Sequence, residues 1–74
     1  MTVTELGKTL GDLYQNAGKG DKVAKIHFFG VKYATEILES GASGREIAKA
    51  AGIEESYGTE VNKGVKLAKF VQAK

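Results

Sequence analysis

The stretch SGREIAKAAGIEESYGTEVNKGVKL, from Ser43 to Leu67, decides how this chain folds. Ser43 and Glu46 stand three apart, the spacing of a capping box, in which each side chain binds the other residue's backbone amide, so a helix is predicted to begin here. Gly52 ends that helix after little more than two turns. A second helix follows, with Val61 on its inner side and lysines on its outer side. The stretch predicts two helices joined across a glycine turn.

Upstream of this pair, an amphipathic helix is predicted from about Val3 to Ala17, where apolar residues recur every three or four positions. Thr2 and Glu5 have the spacing of a second capping box at its start. Gly7 and Gly11 lie one turn apart beside the apolar stripe and lower the helix propensity. We interpret them as packing residues that let a neighbouring helix approach closely.

A long central helix is predicted from Lys22 to Ser40, because apolar residues cover more than half of its circumference. Gly41 then ends it in a left-handed conformation. His27, at the edge of the apolar face, is expected to be a hydrogen-bonded boundary residue rather than a metal ligand or a base. Phe28 lies among lysines on the polar strip. It either packs into the core, the interpretation we favour, or belongs to a contact surface.

Length and composition narrow the classes of protein that the sequence allows. A chain of 74 residues without a linker is expected to form one domain, residues 1–74, with a single core. The absence of cysteine excludes disulfides and thiolate metal sites, and suits a cytoplasmic protein. No apolar run is long enough to span a membrane. We expect no metal and no cofactor. The net charge of +2 argues for no particular partner by itself.

The segment Ile47-Ala48, Ala51-Gly52-Ile53 and Val61 resembles the helix-turn-helix pattern of short bacterial DNA-binding domains, over about a third of the chain. The resemblance implies an all-α fold, a compact four-helix domain with a central long helix and a C-terminal helix-turn-helix-like pair. Gly58 departs from the pattern, which has a β-branched residue there, so the turn must be longer or the second helix rotated. Glu54 and Glu55, near the start of the second helix, would repel DNA.

The resemblance also implies double-stranded DNA as the partner and a role in regulation. Asn62 and Lys63 would reach base edges, since asparagine pairs with adenine and lysine donates to guanine. The other residues assigned to the DNA surface, chiefly for phosphate contact, are Arg45, Lys49, Thr59, Lys66 and Lys69.

Other interpretations remain open. The lysines of the last helix would be solvated surface residues if no DNA is bound. A protein-interaction or dimerisation module is indicated by Phe28 and Phe70, since exposed aromatic side chains need cover. An enzyme is not expected, because the chain has one histidine and no cysteine, and its adjacent Glu54 and Glu55 do not converge on a substrate.

Overall fold

The computed structural model describes residues 1–72 and contains five α-helices in that range, with no strand. The helices are α1 (Val3–Gln15), α2 (Lys22–Lys32), α3 (Ala34–Ser40), α4 (Gly44–Ala50) and α5 (Gly58–Leu67), with a single turn of 3₁₀-helix (Glu55–Tyr57) before α5. The all-α prediction is confirmed. None of the described helices is long and apolar enough to cross a membrane.

Both predicted capping boxes are formed. At α1 the Thr2 hydroxyl accepts from the Glu5 amide at 3.1 Å, and the Glu5 carboxylate accepts from the Thr2 amide at 2.8 Å. At α4, Ser43 and Glu46 exchange the same pair of bonds at 3.1 and 3.0 Å. Each pair satisfies two amides that a helix leaves free, which is why α4 persists although it is only seven residues long.

The predicted long central helix is wrong, because the chain bends at Tyr33 and forms two helices. The Tyr33 backbone has φ −107° and ψ +20°, outside the α-helical region, and its ring packs 5.3 Å from that of Phe29. Apolar spacing continues through the bend, so the sequence does not reveal it. After the bend Ile37 is buried, but the neighbouring Leu38 is 71% exposed.

Close helix crossings hold the bundle around one core. A Cβ added to Gly7 would lie 2.6 Å from the Ala50 Cβ, which confirms that this glycine lets α1 approach α4. A Cβ on Gly30 would lie 2.6 Å from the Val61 carbonyl oxygen, so α2 and α5 also meet backbone to backbone. The core cluster of the described residues comprises Leu6, Leu10, Ile26, Phe29, Ile37, Ile47 and Val61.

Candidate functional site

The helical pair is locked where α4 and α5 cross. Gly44 and Gly58 face each other there, and a Cβ on Gly58 would lie 2.5 Å from the Arg45 amide nitrogen. A β-branched residue does not fit at position 58, which explains the departure from the helix-turn-helix pattern at that position. Residues 51–57 form a longer turn than the usual three or four residues, which is the first of the two alternatives that Gly58 left open.

The turn is anchored at both ends. Gly52 has φ +77°, a left-handed conformation that favours glycine, and the Ile53 amide donates to the Ala48 carbonyl at 3.2 Å. At the far end the Tyr57 ring lies 5.6 Å from that of Tyr14 on α1. These contacts set the direction in which α5 leaves the turn.

The apolar and polar residues of α5 lie on opposite sides of the helix, as predicted. Val61 is fully buried, with Gly58 and Gly64 beside it. The outward face carries exposed polar side chains at the spacing of one helical stripe, namely Thr59, Asn62, Lys63 and Lys66. The helix therefore presents a polar stripe whose orientation is determined by the buried residues behind it.

A shallow cleft lies at the start of α5, between this stripe and α4. It brings together three of the residues assigned to DNA from the sequence, Arg45, Thr59 and Asn62, and its other lining residues are Ser43, Glu55, Ser56 and Gly58. The Asn62 side chain rests on α4, since a Cβ on Gly44 would lie 2.7 Å from its Oδ1. Ser56 was not singled out from the sequence, although its position just before α5 is the signal that could have identified it.

Two of the assigned cations are paired with carboxylates. Arg45 Nε donates to Glu55 Oε1 at 2.7 Å, and Lys63 Nζ lies 3.3 Å from Glu60 Oε2. The amine of Lys63, although it lies on the predicted outer side of α5, is therefore not free. It also follows that Glu55, expected to repel a polyanion, has its charge offset by Arg45.

Glu60 also joins α5 to α2. His27 Nε2 lies 2.8 Å from Glu60 Oε1, so His27 is the hydrogen-bonded boundary residue that the sequence predicted. This hydrogen bond from His27 is the main reason that the pKa of Glu60 is lowered, with a smaller contribution from Lys63. Glu60 is therefore a carboxylate at neutral pH and remains held by His27 if Lys63 turns away.

The other assigned cations are spread over the surface. Within residues 1–72, Lys49, Lys66 and Lys69 make no ion pair. Lys66 continues the stripe of α5, whereas Lys49 lies on α4. Lys69 lies beyond the end of α5 and lines a groove with Leu38 of α3. The structure thus brings Lys66 to the polar stripe and places Lys69 apart from it.

The two phenylalanines assigned to protein contact differ in exposure. Phe28 is half-buried and lies outside the core cluster, so the favoured core interpretation was wrong. Lys25 Nζ and Lys32 Nζ lie 5.6 and 5.8 Å from its ring centroid. Phe70 is 83% exposed in the turn after α5. Of the two, Phe70 offers the larger uncovered apolar surface.

Within the described range, no group of three or more histidine, cysteine, aspartate or glutamate residues could hold a metal ion. In comparisons with known proteins, the family described as an HTH-like domain matches residues 2–74. The match covers nearly the whole chain, rather than the third on which the resemblance was first drawn. None of the curated proteins and none of the solved structures gives a significant match.

Proposed function

Because the chain belongs to the HTH-like domain family, we propose that it is a regulator that binds double-stranded DNA through α5. The observation that carries the proposal is the polar stripe of α5, whose direction is set by the glycine crossings behind it. A helix presented in this way matches a reading helix lying in the major groove. In this arrangement Asn62 and Lys63 contact base edges, and Thr59 lies beside them near the start of the helix.

Phosphate contacts are assigned to the cations around the stripe. Lys66 extends it, and Arg45 and Lys49 lie on α4, the helix that crosses the DNA backbone in a helix-turn-helix protein. Lys69 is left out of this surface because it lies beyond the end of α5.

The ion pairs are compatible with this proposal. The Lys63 side chain is 60% exposed, so its contact with Glu60 is screened by solvent and is readily exchanged for a DNA group. Glu60 keeps its bond to His27 after the exchange, and therefore does not become an unpaired anion facing the DNA. Arg45 can exchange Glu55 for a phosphate in the same way, although this leaves the Glu55 charge uncompensated.

The test is a titration of the protein with mixed-sequence duplex DNA at low and at moderate salt. Fluorescence anisotropy and residue-resolved NMR monitor the binding. We expect chemical-shift changes at Thr59, Asn62, Lys63 and Lys66, and an affinity that falls steeply as salt rises. The double variant K63E/K66E should bind at least about tenfold more weakly, since two phosphate or base contacts become repulsive.

The matched control is K8E/K19E, which makes the same change in net charge on α1 and the following loop. Equal weakening by both double variants would mean that affinity depends only on total charge, and would reject α5 as the binding surface. Absence of any binding at low salt would reject the proposed function itself.

Protein association is a second candidate function, favoured by the exposure of Phe70 and its apolar neighbours. Phe70 lines a pocket with His27, Leu67 and the stripe residues Lys63 and Lys66, so a protein that covered Phe70 would meet the end of the α5 stripe.

A further inference from the structure

The polar stripe of α5 leads to an aromatic ring. Phe70 follows Lys63 by seven residues and Lys66 by four, the spacing of one helical face. The backbone stays close to a helical path after α5, because the Phe70 and Val71 amides both donate to the Leu67 carbonyl, at 2.9 and 3.1 Å. The outward face therefore passes from two exposed lysines to a phenylalanine that is 83% exposed.

The same residues surround an open hollow of about 330 Å³ between α2 and the end of α5. Its lining residues are His27, Lys63, Lys66, Leu67 and Phe70. The lining surface is almost entirely apolar, so the two lysines contribute their hydrocarbon stems and keep their amines away from the floor. The hollow thus has an apolar floor, a ring on one side and amines around it.

The charge around the hollow is positive. None of its five lining residues is acidic. The Glu60 carboxylate has both oxygens engaged, one 2.8 Å from His27 Nε2 and the other 3.3 Å from Lys63 Nζ. Lys66 makes no ion pair within residues 1–72. A molecule that matches the hollow therefore combines a flat apolar group with negative charge close to that group.

A nucleotide of a single strand has both features. Its base presents a face that stacks on aromatic side chains, and a phosphate lies on either side of it. In a duplex the faces of the bases are covered by their neighbours, and a base must leave the stack before a protein can enclose it. An apolar side chain of a protein partner would match the ring but would leave the lysine amines without a partner.

We propose that the hollow binds one unpaired base of a single-stranded nucleic acid. The base stacks on the Phe70 ring, and its flanking phosphates pair with Lys63 and Lys66. Since every base has a face that stacks, this binding tolerates many sequences. Both lysines are also assigned to duplex DNA, so a single strand and a duplex exclude each other on this surface. The site does not depend on duplex binding, in which Phe70 takes no part.

The experiment compares two labelled strands of equal length, oligothymidylate and an abasic oligonucleotide, by fluorescence anisotropy. We expect oligothymidylate to bind about tenfold more tightly, because the two strands carry the same phosphates and differ only in the bases. Oligouridylate, titrated in parallel, shows whether an RNA strand gains the same advantage. K66E should weaken the binding of all three strands, because each has lost the same phosphate contact.

F70S should remove the preference for oligothymidylate and leave the affinity for the abasic strand unchanged. L38S is the matched control, since Leu38 is 71% exposed but does not line the hollow. It should keep the tenfold preference. Circular dichroism should show that both variants keep the fold, because both side chains are exposed.

A tryptophan in place of Phe70 reports the stacking directly. The chain contains no tryptophan, so the emission of F70W comes from this position alone. We expect oligothymidylate to quench that emission, because a stacked base quenches an indole, and we expect the abasic strand to leave it unchanged. L38W is the control and should respond to neither strand.

Equal affinity for oligothymidylate and the abasic strand would overturn the proposal. A preference that persists in F70S, or an F70W emission that saturating oligothymidylate does not change, would also overturn it. Failure of duplex DNA to bind, with the preference for bases intact, would reject only the duplex function. Duplex binding without any preference for bases would reject only the single-strand site.

Discussion

From Gly58 to Gly64, α5 is tied to its neighbours by backbone contacts, whereas from Val65 to Val71 the chain is only partly covered. In the first half Gly58, Val61 and Gly64 are all buried against α4 or α2. In the second half of α5 Val65 is half-buried and Leu67 is exposed, and Phe70, in the turn that follows, faces solvent. A single helix thus combines a rigid section suited to presenting polar groups with an end whose apolar surface is suited to association.

Of the substitutions that distinguish the two halves of α5, Gly64→Ala is expected to have the largest effect on stability. The new Cβ would lie 2.5 Å from the His27 carbonyl oxygen, so α2 and α5 must move apart. We expect a loss of about 1–3 kcal/mol in the free energy of unfolding, despite the better helix propensity of alanine. Urea denaturation measures this loss.

Leu67→Ala is the matched change in the second half of α5, three residues further on. Its side chain is exposed, so we expect a change within about 0.5 kcal/mol. If Leu67→Ala cost as much as Gly64→Ala, the second half would belong to the core and the comparison would fail.

A smaller effect is expected from Ser43→Ala, which removes the N-cap of α4. Such substitutions cost about 0.5–2 kcal/mol. Since α4 contacts α5 at Gly58, amide hydrogen exchange should accelerate in α4 and in the first half of α5 more than at Leu67. Ser56→Ala, an exposed serine in the turn, serves as the control. Uniform acceleration along α5 would show that the two halves unfold as one unit.

The smallest effect concerns pH. The hydrogen bond from His27 lowers the pKa of Glu60, so the resulting stabilisation is complete above the ordinary glutamate pKa and is lost as pH falls through the lowered value. The hydrogen bonds of Ser43 lower the pKa of Glu46 in the same direction. The melting temperature should therefore fall as the pH is lowered below about 4.5, the ordinary pKa of glutamate.

In Glu60→Gln this acid sensitivity should be smaller, because one of the carboxyl groups whose pKa is lowered has been removed. Melting curves of both proteins from about pH 7 to about pH 3 make the comparison. Identical acid profiles would mean that the contact between His27 and Glu60 does not contribute.

The parts of the fold that depend on local spacing could be predicted from the sequence. Both capping boxes, the packing role of Gly7 and the burial of Val61 follow from residues three or four positions apart, or from a glycine on a helix face. The bend at Tyr33 could not be predicted, because it changes the backbone angles of one residue and leaves the apolar spacing intact.

For the candidate site, the outward stripe of α5 followed from periodicity, but its ion pairs were missed. Lys63 and Glu60 are three apart on one helix, a spacing that could have indicated their contact. Arg45 and Glu55 meet only because the turn folds back on α4, and the position of Asn62 over Gly44 depends on how closely α4 and α5 cross. Such contacts require the tertiary structure.

The close crossings of α5 with α4 and α2, which occur at its glycines, have a consequence for redesign. Since Gly58, Val61 and Gly64 supply the inward contacts of its first half, the side chains at positions 59 and 63 do not take part in the buried packing of that half. A library randomised at these two positions should therefore give mostly folded members. The same scaffold could then display many different combinations of side chains in one orientation.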